Sequence, residues 1–197
     1  MIHPHTELRQ VNKTKGRGIF ATKGIPIGTI TYVKDPLEIE IAPDDPRMEH
    51  PELSTIIETY SYMDEDGVRI LSWDNAKYVN HCCCCNTMST GYGFEIAIRN
   101  IAAGEEITDE YGMFNIEYAM ELSCDKSNCR KTVSDHDLDV HYREWDQIVC
   151  NSLQHLNNVE QPLLSFLDND TRNALQQFLD TGEGYQSVLN LRLNKDE

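Results

Sequence analysis

Lys77-Tyr78-Val79-Asn80-His81-Cys82-Cys83-Cys84-Cys85-Asn86 is the stretch on which the reading of this chain turns. An Asn-His pair, rich in hydrogen-bonding groups, runs straight into four consecutive cysteines. Three more cysteines follow, at 124, 129 and 150. An odd count with four in a row does not make a disulfide framework. In a reducing compartment such clustering points to metal binding or catalysis. By itself, Asn80-His81 reads equally well as a capped turn with a satisfied histidine.

Two further segments flank this one. Upstream lies Lys15-Gly16-Arg17-Gly18-Ile19-Phe20-Ala21. Two glycines around one residue let the backbone turn tightly and approach a ligand closely, though a simple turn needs no more than this. No third glycine opens a helix, so it is not a dinucleotide fingerprint. Downstream lies Gly104-Glu105-Glu106-Ile107-Thr108-Asp109-Glu110-Tyr111-Gly112, in which Tyr111 taken alone could be a core aromatic.

The intervening chain predicts short strands: 19–21, 29–33, the alternating 37–41, and 94–98. Asp64-Glu65-Asp66-Gly67 reads as a hairpin turn between 59–63 and 68–72. Prolines 36, 43, 46 and 51 mark 42–52 as loop. After about residue 140 the period changes. Trp145, Ile148, Val149, Ser152, Leu153 and Leu156 share a helical face, and Leu164 to Leu179 suggest one or two more helices, with Asp170 as N-cap and Gly182 as stop.

Composition limits the function. The 197 residues, 40% apolar and 25% charged, suit one compact domain with an appendage or two small domains. No long apolar run spans a membrane, and the start lacks the layout of a secretory leader, so the expected place is the cytoplasm, or a nucleus where there is one. The formal charge is −16, with the acid excess concentrated after residue 60, where 24 acidic side chains face 10 basic ones. That field opposes direct contact with nucleic acid and attracts a basic protein or peptide, while also serving solubility.

The order and spacing of the three segments resemble the SET-domain family, whose hallmarks are a Gly-x-Gly, an Asn-His-Ser-Cys-x-Pro-Asn loop and a Gly-Glu-Glu-Leu-Thr-x-Asp-Tyr segment. The resemblance covers roughly residues 12–131 and includes the strand Phe94–Ile101. It implies a mixed, mainly β architecture of several small sheets (a β-clip) with a helical C-terminal appendage: SET domain over 1–115, a cysteine-bearing segment over 116–132, a helical region over 133–197. It implies a protein-lysine methyltransferase using S-adenosylmethionine. In that scheme Tyr111 is the catalytic residue at the meeting point of two ligands, and Lys15, Gly16, Arg17, Gly18, Asn80 and His81 hold the cofactor. The Asn80 carbonyl suits the cofactor's ammonium group.

The sequence also departs from the family. The Glu-Tyr-x-Gly element is missing; Lys34 falls where its tyrosine would be, and Tyr32 is either a stand-in or a core residue. Asp109-Glu110 replaces the commoner aromatic-Asp pair. Family members often end in Cys-x-Cys-x4-Cys, whose three cysteines join the loop cysteine in a zinc site. Here Leu122 takes the first place, leaving Cys83, Cys124 and Cys129, with Cys85, Cys84 or Cys82 open as the fourth ligand, Cys85 preferred, and His136 and His141 as outside candidates. The alternative is a metal-free set of buried thiols. Two rival functions stand beside the enzyme: a silent SET module that binds protein partners, and a cysteine-based metal or redox protein.

Overall fold

Strand-length apolar runs broken by glycine and proline cannot build one large sheet, and the computed structural model of the protein divides them among four small ones. It describes residues 1–124, 126–127 and 129–194. The strands are β1 (Thr6–Asn12), β2 (Gly16–Ala21), β3 (Ile30–Val33), β4 (Ile39–Ile41), β5 (Ser61–Met63), β6 (Arg69–Leu71), β7 (Asn80–His81), β8 (Thr87–Ser89), β9 (Phe94–Ala97), β10 (Glu106–Asp109), β11 (Met120–Glu121) and β12 (Thr132–Val133). Three α-helices accompany them: α1 (Pro51–Tyr60), α2 (Asp137–Leu153) and α3 (Asn169–Thr181). The sheets run β1-β2-β10-β7, β3-β9-β8, β4-β6-β5 and β11-β12. The architecture is thus mixed and mainly β, as the sequence implied.

The predicted hairpin forms between β5 and β6, with Ser61 opposite Leu71 and Met63 opposite Arg69. Asp64 makes the turn: its Oδ1 accepts from the Asp66 and Val68 N–H groups at 3.1 and 2.9 Å. The loop expected over 42–52 is corrected at its end. Pro51 is the first residue of α1, a position where a missing N–H costs nothing, so the last proline starts a helix. That helix also takes Thr59 and Tyr60 from the expected strand. A second correction concerns α3, whose N-cap is Asp168 rather than Asp170. Asp168 Oδ1 accepts from the Thr171 N–H at 2.8 Å and Oδ2 from its hydroxyl at 2.6 Å. Gly182, with φ +75°, ends the helix as expected.

The helical region is more than an appendage. Trp145, Val149 and Leu153 of α2 share one core with Met88, Phe94 and Ile96 of the small sheets. Each such fully buried apolar side chain contributes about 1.5–3 kcal/mol. Gln161 ties the two further, donating to the Gly28 carbonyl at 2.7 Å and accepting from the Ile30 N–H at 2.9 Å. Gly91 packs so closely on the returning chain that a Cβ there would lie 2.2 Å from the Ser187 carbonyl oxygen. A second cluster, with Ile19, Ile25, Ile101 and Ile107, sits under β2 and β10. No helix among the described residues is long and apolar enough to cross a membrane.

Candidate active site

The three sequence motifs lie on neighbouring strands. β10 pairs antiparallel with β2, placing Ile107 opposite Ile19, and parallel with β7, placing Thr108 opposite Asn80 and Asp109 opposite His81. Asn86, fully buried, braces this junction. Its side chain donates to the Glu106 carbonyl and accepts from the Thr108 N–H, both at 2.8 Å. Segments about 60 and 90 residues apart in the chain are thus brought into a single ladder.

Asn80 bridges two of these motifs. Its Nδ2 donates to the Arg17 carbonyl at 3.0 Å and to Glu106 Oε1 at 2.8 Å, which leaves the amide oxygen as its acceptor end. Gly18 permits that approach, because a Cβ there would sit 2.8 Å from Asn80 Nδ2 and 2.6 Å from a Val11 methyl. Gly16 serves differently: its φ of +72° makes the turn into β2, with open space where a side chain would be. The Arg17 carbonyl is therefore held beside Asn80, directly after the turn at Gly16.

His81 carries the contact onward. Its Nδ1 accepts from the Tyr111 N–H at 3.2 Å, and its Nε2 lies 3.3 Å from Cys83 Sγ. Burial, then the charges of Arg130 and Lys15, push its pKa down to about 4. The ring is therefore neutral near pH 7, and with Nδ1 accepting, Nε2 donates to the sulfur. The Tyr111 hydroxyl donates to the Val79 carbonyl at 2.6 Å. Burial, aided by the nearby Asp109, Glu95 and Glu106, raises its pKa, so the hydroxyl stays protonated.

Tyr111 opens into a cavity of about 420 Å³, lined among others by Tyr32, Tyr62, Glu95, Asp109 and Phe114. Tyr62 and Phe114 stack at 5.4 Å, and Phe114 lies 5.6 Å from Tyr111. Helix α1 supplies Thr55, Glu58, Thr59 and Tyr60 to the rim. Tyr32 packs as a core residue, only 5% exposed, and it also lines the cavity. Its hydroxyl donates to Glu38 at 2.9 Å. Lys34 takes no part; its ammonium pairs with Glu40 at 2.8 Å on the surface.

The cysteines gather on the other side of His81. The β11-β12 ribbon closes the segment after the third motif into a loop and returns Cys124 and Cys129 toward Cys83. The sulfurs of Cys83, Cys124 and Cys129 all lie within 4.8 Å of one another. Cys83 and Cys129 are 3.8 Å apart, matching the edge of about 3.8 Å that a tetrahedron with Zn–S bonds of about 2.3 Å requires. Backbone N–H groups of Arg130 and Lys131 donate to Cys83 and Cys129 at 3.4 and 3.3 Å, the kind of support thiolate ligands need. This trio could hold a zinc ion. Cys85 is not among them. It is buried in the main apolar core, where burial and then Asp109 and Glu110 raise its pKa. The i, i+2 expectation failed because the loop turns Cys85 inward to the core rather than toward Cys83. Cys82 instead flanks the group, 3.9 Å from Cys124. His136 is exposed and pairs with Asp135, while His141 packs against Trp145. Cys150 packs against the core.

Residues 16–112 match the family model described as SET domain. The chain carries a SET domain over these residues. A crystal structure of KRYPTONITE in complex with mCHG DNA and SAH is similar at 17% identity and a TM-score of 0.45, over 65% of this chain and 28% of that one. The methyltransferase domain of human histone-lysine N-methyltransferase SETMAR is similar at 14% identity and a TM-score of 0.43, over 68% of this chain and 58% of that one. No curated protein sequence matches the chain.

Several side chains of this SET domain were missed in the sequence. Glu95 and Tyr62 lie on strands that looked like ordinary alternation, and no residue pattern marked their inward side. Arg130 had a signal, since it directly follows Cys129. It donates to Glu110 Oε1 at 2.5 Å, lies 3.4 Å from Asp137 and stands over the Trp145 ring, joining the cysteine segment to both the motif tyrosine's neighbour and α2.

Proposed function

We propose that the protein transfers a methyl group from S-adenosylmethionine to a lysine side chain of a protein. The observation that carries this reading is the Tyr111 hydroxyl, held by the Val79 carbonyl beside Asn80-His81 and lining an aromatic cavity. The bound cofactor supplies a sulfonium methyl group open to in-line displacement by an amine. Lys15, Gly16, Arg17, Gly18, Asn80 and His81 would hold it, with the Asn80 amide oxygen accepting from its ammonium group.

The cavity side suits a lysine chain. Tyr62, Phe114 and Tyr32 give the methylene stem apolar surface and exclude water from its end. The protonated Tyr111 hydroxyl, with the Val79 carbonyl beside it, presents oxygen atoms where the transferring methyl carries its developing charge, and such fixed dipoles act chiefly in the transition state. Glu58 at the cavity rim and the net charge of −16 favour a basic protein segment as substrate. A zinc ion on Cys83, Cys124 and Cys129 would fix the segment that carries Arg130 against Glu110. Incubation with labelled S-adenosylmethionine and a panel of basic proteins tests the function. Label recovered on lysine supports it, whereas cofactor binding with no transfer to any protein indicates a silent SET module.

A further inference from the structure

We propose that Glu95 and Asp109 form a proton-accepting pair that takes the amino-group proton of the substrate side chain in the Tyr111 cavity. The inference rests on the reading of the site as a lysine methyltransferase and adds to it the step that reading lacks. A lysine amine has a pKa of about 10.4 and is almost wholly protonated at neutral pH, when it has no lone pair to offer. Something must receive that proton, and the Tyr111 hydroxyl is protonated already and committed to Val79.

Both carboxyl groups line the same cavity as Tyr111. Asp109 ends β10 two residues before Tyr111, and both residues line the cavity. Glu95 comes from β9, opposite Tyr32. Asp109 Oδ1 accepts from the Glu110 N–H at 2.7 Å. Its Oδ2 is buried with no hydrogen-bond partner among the described residues, and the Glu95 carboxyl is its acidic neighbour in the same cavity lining. Two carboxylates so placed cannot both ionise cheaply, and they share a proton.

The cations near the cavity do not relieve them. Arg69 is bound to Glu117, and Lys77 Nζ donates to the Ser72 and Asp74 carbonyls at 3.1 and 2.5 Å. The Met1 ammonium, which lowers Glu95 slightly, is held by Asp35 and Glu38 at 2.8 and 3.2 Å. The other titratable residues of the lining are tyrosines and glutamates, Tyr32, Tyr62, Tyr111, Glu58 and Glu117 among them, and with Glu110 and Cys85 beside Asp109 they supply no positive charge. Burial and the mutual repulsion push Asp109 well up, and burial pushes Glu95 up to about 7. Near neutral pH the pair thus carries one proton, one negative charge and an acceptor oxygen toward the cavity, which is the condition of an effective general base. The step is a proton transfer alone: an N–H bond of the substrate ammonium breaks, an O–H bond forms on the pair, and the nitrogen keeps the electron pair.

Glu95→Gln and Asp109→Asn, compared with the intact protein, test the assignment by three readouts. Infrared spectra of the ligand-free intact protein should show a protonated carboxyl band that loses part of its intensity near pH 7 and keeps the rest above it, and Glu95→Gln should lack the step near pH 7. The kcat for transfer from S-adenosylmethionine to a panel of lysine peptides should level off above about pH 7 in the intact protein. In Glu95→Gln it should be lower at pH 7 by on the order of 10²-fold and keep rising toward about pH 10, where the amine deprotonates unaided. Calorimetry with S-adenosylmethionine should give unchanged affinity in both variants. Superimposable pH profiles, a loss confined to KM, or an ordinary carboxyl titration in the intact protein would overturn the proton acceptor while leaving the proposed function in place. The infrared titration stands even if a variant fails to fold. Failure of the intact protein to bind S-adenosylmethionine would instead overturn the proposed function, and the proton acceptor with it.

Discussion

Two walls meet at Tyr111, and they are built on different physics. The wall of Lys15–Gly18 and Asn80-His81 is a backbone ladder: three adjacent strands, one buried asparagine, and glycines that let chains approach. The opposite wall is made of side chains from α1, β5, β9 and the turn after β10, packed ring against ring around two carboxyl groups. A ladder fixes residue identity at each step, because a Cβ at Gly18 or a different amide at Asn80 would clash or go unpaired. A cavity constrains only volume and polarity, so many sequences satisfy it. The first wall can therefore be a family constant, while the second is where this chain departs from the pattern.

That contrast gives the predictions their order. Tyr111 belongs to both walls, and Tyr111→Phe should cost the most: turnover falls by on the order of 10²–10³-fold, while S-adenosylmethionine affinity by calorimetry stays the same. A parallel fall in affinity would mean that the two walls are one structure. Asn80→Ala breaks the ladder wall alone. Its cofactor affinity should drop by about 1–3 kcal/mol, because a buried ammonium loses its acceptor. Unchanged affinity would remove Asn80 from the cofactor side.

The difference between the walls also explains what the sequence could reveal. Gly16, Gly18, Asn80, His81 and Tyr111 were legible because each occupies a position with a specific backbone or hydrogen-bond requirement, and those requirements recur at fixed spacing. The strands and the α2 face were legible from periodicity. Helix α1 was hidden by its prolines, one of which starts it. Glu95 was hidden because alternation along β9 gives only the side a residue faces, and the partner that makes it matter, Asp109, lies fourteen residues on in another sheet. Cys85 was misplaced for the same reason: spacing within a loop does not say which thiols turn toward the core.

The cavity wall has its own pH signature. Glu95 holds its proton up to about pH 7 in the folded protein, against an ordinary value of 4.5. Between those values the unfolded chain binds fewer protons than the native one, so stability from this group falls as pH rises through the window. Thermal melts of the intact protein and Glu95→Gln should therefore diverge in the variant's favour between about pH 5 and 7. Parallel curves would mean that the carboxyl ionises normally.

The cysteine segment sharpens the comparison from outside. Chelation should loosen the segment around Cys124 and Cys129 in hydrogen exchange and spare the ladder, because a metal on these cysteines would tie that segment alone. Cys124→Ser should lose the metal, whereas Cys85→Ser and Cys150→Ser should keep it, a difference elemental analysis resolves. Metal lost from Cys85→Ser would return that thiol to the site.

The most direct measurement of the account is a crystal structure of the protein with S-adenosylhomocysteine. The ligand's amino-acid end is expected between Lys15–Gly18 and the Asn80 amide oxygen, with its sulfur facing the Tyr111 hydroxyl and the aromatic cavity left open beyond it. A ligand bound inside the Tyr62–Phe114 cavity, or with its sulfur turned away from Tyr111, would contradict it.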